Sequence, residues 1–233
     1  MPPPTLRTEP PPLAADEVHL WRIALDAPAD ASLLSPDELE RAGRFHFARD
    51  RRRFVAARAG LRRILARYLG QAPQALGFAY GPQGKPRLAA AGAPPYFNLS
   101  HAEGLALVAV TAIGEVGVDL EFPRPIDPGL AARYFAAAEI AALEALPAQE
   151  RNLAFFRCWT RKEAYLKACG DGVLAPLDRF EVSLDPASPR VLTIGGDREE
   201  AARWQLAHLE PAPGYVGAVA LRAVGWHWHE LAE

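Results

Sequence analysis

A helix that carries a carboxylate and an ammonium on its packing face commits the rest of the chain to supplying partners for them. Residues 155–172, FFRCWTRKEAYLKACGDG, are such a stretch. The apolar period is that of a buried amphipathic helix, yet Glu163 and Lys167 fall where core-facing residues belong. Trp159, Glu163 and Lys167 stand at i, i+4 and i+8, so they rise as one stripe. A Gly-Asp-Gly breaker at 170–172 ends the helix. A Glu–Lys pair at this spacing is most often a solvated salt bridge of small consequence. A stripe that starts at Trp and closes on a turn reads instead as a carboxylate and an ammonium presented into a cleft. Trp159 is expected to pack the helix and not to touch a substrate.

At 233 residues the chain is long enough for one large domain or two small ones, each with a real core. A net charge of −2 exerts no global pull toward nucleic acid or membrane. The distribution is less even: ten arginines against one acid, Asp50, stand between Arg41 and Arg67. A nucleic-acid reading of that segment would need aromatic platforms or a recognisable module around it. Neither is visible, so no nucleic-acid partner is expected. No apolar run is long enough to span a bilayer, and the N-terminus lacks the basic and apolar regions of a signal peptide. The two cysteines, Cys158 and Cys169, lie about 16 Å apart if helical, too far for a disulfide. They read as small buried packers in a reducing compartment. The expectation is a cytoplasmic protein.

Six prolines within residues 1–12 make that segment an extended or flexible tail. Val18–Leu25 alternates as a strand. Ser35-Pro36-Asp37-Glu38 opens a helix with Ser as cap, Pro in the first turn and acids beside it. A second helix runs over 50–69 and stops at Gly70. Strands are expected at 76–80, 96–99 and 105–111, with a Gly/Pro turn carrying Lys85 and an SHAEG corner. The second half repeats the order: a strand at 115–122, helices at 136–146 and 149–169, then strands at 180–184, 191–194, 204–209 and 215–223. The fold class is α+β, a pseudo-dimer of two similar subdomains. The subdomains span 13–114 and 115–233, each reading strand, helix, helix and about three strands. The boundary lies near Gly114, and the cleft between the halves is the expected site.

In VGVDLEF, Asp119 and Glu121 are i, i+2 on a strand and share a face. Two adjacent carboxylates repel unless a cation sits between them. An edge strand with a solvated acidic face is an equally good reading of this motif alone. Glu163 would add a third oxygen. Hard oxygen ligands, with no His or Cys cluster expected anywhere, suit magnesium, with manganese possible, over zinc. Lys85 is held between Gly84 and Pro86 as a rigidly presented cation. Ser100-His101 lacks a G-x-S-x-G elbow and makes better sense as anion ligands than as a hydrolase pair. Arg53, Arg58 and Arg62 add anion-binding capacity. There is no GxxxxGK[ST] loop and no GxGxxG fingerprint. Acids for a divalent cation together with Lys, Arg, Ser and His for phosphates describe a site that transfers or cleaves a phosphate ester.

Taken in order, GKPRL, FNLSHAEG, VGVDLE and FFRCWTRKEAYLKACGDG closely resemble the 4′-phosphopantetheinyl transferases of the surfactin-synthetase-activating type, W-x-x-KEA variety. The resemblance spans roughly Ser35 to Ala223. It implies two α+β halves and coenzyme A bound with its pyrophosphate on magnesium. The acceptor it implies is a serine of an acyl or peptidyl carrier protein, the leaving group adenosine 3′,5′-bisphosphate. By motif, Asp119, Glu121 and Glu163 match metal ligands and Lys167 matches the lysine near the pyrophosphate. Lys85 and Pro86 match the GKP element beside adenine and phosphates, and Ser100 and His101 match the pair contacting the coenzyme. Arg53 matches the arginine at the 3′-phosphate. The lysines that the family places on the preceding helix are absent here; SPDELERAGR offers Arg41 and Arg44 instead.

On this reading Glu163 and Lys167 are the catalytic pair. Glu163, or a metal-bound water it positions, accepts the serine proton, and Lys167 stabilises charge developing toward the leaving group. Arg58 and Arg62 are expected to help recruit acidic carrier helices. The W-x-x-KEA form leans toward polyketide or nonribosomal peptide carriers and broad carrier tolerance. Two pseudo-equivalent halves already provide a cleft, so a monomer is expected. The alternative is a module that binds coenzyme A or a carrier protein without transfer.

Overall fold

The computed structural model describes residues 12–81, 84–89, 94–127, 129–170 and 176–233. Its strands are β1 (Glu17–Ala24), β2 (Phe78–Tyr80), β3 (Pro86–Leu88), β4 (Tyr96–Ala102), β5 (Leu105–Thr111), β6 (Val116–Glu121), β7 (Phe180–Val182), β8 (Val191–Ile194), β9 (Gln205–Leu209), β10 (Val216–Leu221) and β11 (His227–Ala232). Its helices are α1 (Pro36–Gly43), α2 (Ala48–Leu69), α3 (Gly129–Tyr134), α4 (Ala137–Ala145), α5 (Ala148–Cys169) and α6 (Arg198–Ala201). This mixed α+β chain forms two compact units, one running to Ile113 and taking in His227–Glu233, the other Gly114–Trp226.

In the first unit, α2 lies on a four-stranded sheet of order β11-β1-β5-β4. The period-3.6 apolar face of α2 supplies Leu61, Ile64 and Leu65, all fully buried. They meet Trp21 and Ile23 of β1, Val108 and Val110 of β5, and Leu231 of β11. Each such side chain contributes about 1.5–3 kcal/mol by leaving water. β1 is antiparallel to β5 and parallel to β11, with Glu17 opposite His227 and His19 opposite His229. α1 begins where expected: the Ser35 N–H donates to Glu38 Oε2 at 3.0 Å. β2 and β3 form a separate short hairpin in which the Gly81 N–H donates to the Lys85 carbonyl at 3.0 Å.

In the second unit, α5 lies on the antiparallel sheet β6-β10-β9. Its core gathers Phe155, Phe156, Tyr165 and Leu166 of α5 with Phe135, Phe180, Trp204, Leu206, Ala218 and Ala220. Gly117 of β6 sets the approach of helix to sheet. A Cβ added there would lie 1.9 Å from the Ala164 carbonyl oxygen and 2.5 Å from the Ala168 nitrogen. Only a glycine lets the helix backbone come this close.

Several expectations need correction. The second subdomain does not run to the chain's end, because 227–233 belong to the first unit. The strand β11 was not anticipated: HWHELA is largely exposed and lacks an apolar alternation. The short helix α3 was obscured by the prolines around it. Of the proline-rich 1–12, only Pro12 lies within the described residues, as does only Gly170 of the Gly-Asp-Gly breaker. No helix is long and apolar enough to cross a membrane among the described residues.

Candidate functional site

The period of two on β6 turns Gly117, Asp119 and Glu121 to one face, and the absent side chain at 117 draws α5 onto that face. Two turns of α5 then bring Glu163 and Lys167 to the acids. The Lys167 ammonium is 2.5 Å from Asp119 Oδ1. Glu163 is 4% exposed, and its Oε1 is buried without a hydrogen-bond partner. Burial, then the charge of Asp119, with a further contribution from Glu121, pushes the Glu163 carboxyl up to about 7 against the pull of Lys167. Burial and Asp119 likewise raise Glu121, which Arg124 approaches at 3.4 Å. Three carboxylates thus raise one another's charge cost, with the Lys167 ammonium set against Asp119.

Such a set fits a hard divalent cation: the donors are all oxygens, one of them buried without a partner, and like charges crowd where a cation would relieve them. Asp119, Glu121 and Glu163 are the residues that would hold it. Among the described residues, the trio of metal-capable groups with every ligand atom within 4.8 Å is a different one, Glu17, His227 and His229. A histidine cluster therefore does exist, contrary to the sequence expectation. Glu17 stands 212 residues from His229, and the trio meets through the parallel pairing of β1 with β11.

The motif's other charged residues are structural. Lys162 is fully buried; its ammonium is 2.8 Å from Glu139 Oε2 and donates to the Leu177 carbonyl at 2.7 Å and the Phe180 carbonyl at 2.5 Å. Burial raises the Glu139 carboxyl, with Lys162 opposing. Arg161 donates to the carbonyls of Ser183 and Asp185. These contacts clamp α5 to the segment around β7 and hold Glu163 in place. Trp159 stacks on Phe155 at 6.0 Å and meets Tyr134 edge-on at 5.6 Å, the packing role expected of it. Cys158 is buried, but Cys169 is exposed, so only one of the two is a core packer.

In the first unit, Arg53 and His101 line a cavity of about 320 Å³ with Phe45, Arg49, Phe54 and Glu103. Arg53 is committed inside it, donating to Asp26 at 2.8 and 3.1 Å and to Glu103 at 3.3 Å. An anion arriving there competes with two carboxylates. β4 extends through Ala102, so Ser100 and His101 are strand neighbours facing opposite ways, Ser100 buried and His101 exposed. Lys85 and Pro86 sit at the start of β3, Lys85 half-buried.

Arg58 and Arg62 do not supply anion-binding capacity. Both are buried and clasp Glu38, Arg58 Nε at 2.6 Å and Arg62 Nε at 2.7 Å. Arg62 also donates to the carbonyls of Pro73 and Leu76, and Arg58 to the Tyr80 hydroxyl. Their guanidinium groups lie over Phe78 at 4.8 and 5.1 Å. They tie α1, α2 and β2 together and cannot meet an acidic partner. Arg41 lies over Phe54, and Arg44 pairs with Glu40 on the surface.

Two family models match the chain: the 4′-phosphopantetheinyl transferase superfamily over residues 115–220, and the 4′-phosphopantetheinyl transferase N-terminal region over 24–113. The 4′-phosphopantetheinyl transferase HetI of Nostoc sp. is 45% identical, over 93% of this chain and 94% of its own. The transferase psf-1 of Bacillus pumilus is 32% identical, over 78% of this chain and 76% of its own. The transferase Sfp of Bacillus subtilis is 29% identical, over 66% and 67%.

Proposed function

The chain belongs to the 4′-phosphopantetheinyl transferase family, and from that premise we propose a division of labour among its residues. The protein transfers the 4′-phosphopantetheine group of coenzyme A to a carrier protein. The observation that carries the finer reading is the packing of Glu163 and Lys167 of α5 against Asp119 of β6, with one Glu163 oxygen buried and unbonded.

Asp119, Glu121 and Glu163 hold magnesium, which when bound supplies charge neutralisation at the pyrophosphate. Lys167, now on Asp119, turns part of its charge to the bridging oxygen as the bond between the two phosphates breaks. The carrier's serine oxygen bonds to the β-phosphorus of coenzyme A, and adenosine 3′,5′-bisphosphate departs. The serine proton passes to a Glu163 carboxylate oxygen or to a water that Glu163 positions. In the first unit, Arg53 and His101 receive the 3′-phosphate, and Ser100, Lys85 and Pro86 contact the nucleotide end. Arg53 can do so by exchanging Asp26 or Glu103 for phosphate.

The assay is the mass of acyl and peptidyl carrier proteins after incubation with coenzyme A, with and without magnesium. The expected result is one phosphopantetheine added per carrier, dependent on the ion. Transfer at full rate in chelator refutes the metal role. His101→Ala is expected to raise KM for coenzyme A about tenfold with kcat little changed.

A further inference from the structure

We propose that the chain carries a binding site for a borderline divalent cation, zinc foremost, on Glu17, His227 and His229. The parallel register of β1 and β11 sets Glu17 opposite His227 and His19 opposite His229. All four side chains therefore share the sheet face on which α2 packs. Glu17 Oε1 is 3.3 Å from His227 Nε2 and 3.2 Å from His229 Nε2, and all three ligand atoms lie within 4.8 Å of one another. Ligands at about 2.0–2.1 Å from a tetrahedral zinc are spaced about 3.3–3.4 Å from each other. The two observed separations match that edge and are long for an N–H···O hydrogen bond.

The surroundings are those of a metal site. The second Glu17 oxygen faces His19 Nε2 at 3.4 Å, and His19 Nδ1 lies 2.7 Å from the Tyr68 hydroxyl. Tyr68 in turn accepts the Trp21 indole N–H at 2.7 Å. A consistent proton arrangement follows: Tyr68 O–H donates to His19 Nδ1, and His19 Nε2–H donates to Glu17. That chain fixes the carboxylate from behind and leaves Oε1 aimed at the two exposed imidazoles. Asp16 Oδ2 stands 3.8 Å from His227 Nδ1, near enough to add negative potential but beyond hydrogen-bond distance.

Imidazole donors select zinc, cobalt, nickel or copper over magnesium. Two histidines and one glutamate leave a fourth position for water. The ion would join the edge strand β11 to β1 across 212 residues of sequence.

The test uses the full chain, stripped with chelator and returned to millimolar magnesium, titrated with zinc chloride by calorimetry. One tight zinc per chain is expected, with a melting temperature about 5 °C higher at a hundredfold excess over Kd. Cobalt should give the visible bands of a four- or five-coordinate nitrogen and oxygen site. Zinc affinity should fall about tenfold in Glu17→Gln and at least a hundredfold in His227→Ala/His229→Ala. Both histidines are about half exposed. The double variant should therefore fold, and its melting temperature in chelator and its magnesium-supported transfer rate should equal those of the parent. Cys169→Ser should bind zinc unchanged. Absence of stoichiometric binding, unaltered binding in the double histidine variant, or loss of binding in Cys169→Ser overturns the proposal.

Discussion

Glu163 and Lys162 are neighbours on one helix, and burial has opposite consequences for them. Lys162 has its counter-charge and two carbonyls, so removing it strands Glu139 in the core. Lys162→Met should cost about 3–5 kcal/mol in chemical denaturation. Glu139→Gln combined with Lys162→Met should recover part of that loss, because no uncompensated charge remains. Glu163 is the reverse case: its Oε1 has no partner and its carboxyl sits at about 7 beside two other acids. Glu163→Gln should therefore raise the melting temperature of magnesium-free protein while lowering transfer at least a hundredfold. A variant that lost both stability and activity would make Glu163 a structural residue. Glu38 gives the pH dependence. Burial alone would raise its carboxyl, but Arg58 and Arg62 outweigh burial and hold it below the usual carboxylate value. The folded state thus binds the Glu38 proton less readily than the unfolded state. The associated stability is complete above the unfolded value near 4.3 and is lost as pH falls through the lower folded value. Glu38→Gln should cost about 3 kcal/mol at pH 7. The gap from the parent should narrow in melts below about pH 4; a gap unchanged at low pH would remove the ion pairs as its cause.

At the scale of elements, period was a sufficient guide wherever one short segment faced one neighbour. The shared face of Asp119 and Glu121 follows from alternation on β6, and the stripe of Trp159, Glu163 and Lys167 follows from the helical repeat of α5. Charge patterning was a poor guide, because it cannot tell which arginines an acid far away will claim. Arg58 and Arg62 are i, i+4 on α2 and look like one basic face, yet Glu38 of α1 turns both inward. Lys162 was equally opaque, since its partner lies on another helix and its carbonyl acceptors lie beyond α5. Gly117 carried a readable signal, a glycine inside a strand, which marks close backbone approach. Gly117→Ala tests how much of the site depends on that approach. A methyl 1.9 Å from the Ala164 oxygen forces β6 and α5 apart by about an ångström or more. The variant should lose about 2–4 kcal/mol of stability. In whatever folds, transfer should fall further than the folded fraction does, because Asp119 and Lys167 are pulled apart. Activity per folded molecule equal to the parent's would show that the site tolerates the displacement.

For the molecule as a whole, what the sequence could not disclose was the return of the chain's end to its beginning. β11 pairs with β1, Leu231 enters the core of the first unit, and Glu233 closes ion pairs with Arg63 and Arg67 of α2. Parallel pairing of segments so distant leaves no local mark, and HWHELA shows solvent mostly polar side chains, so neither period nor composition reveals it. This closure makes the two units unequal in what they lose when residues 227–233 are deleted. In the first unit, β1 would exchange a paired edge for an open one, Trp21 and Ile23 would lose Leu231, and Arg63 and Arg67 would lose their carboxylate. The second unit, β6 to β10 with α5, contains none of the deleted residues. Hydrogen exchange on the truncated protein should therefore show protection falling about tenfold or more in β1, β5 and α2. Protection in β6, β10 and α5 should stay near the parent's. Transfer should fail mainly through a raised KM for coenzyme A, since Arg53 and His101 stand on the weakened unit while Glu163 and Lys167 do not. Uniform loss of protection across both units would show that the chain unfolds as one cooperative body and that β11 supports the whole.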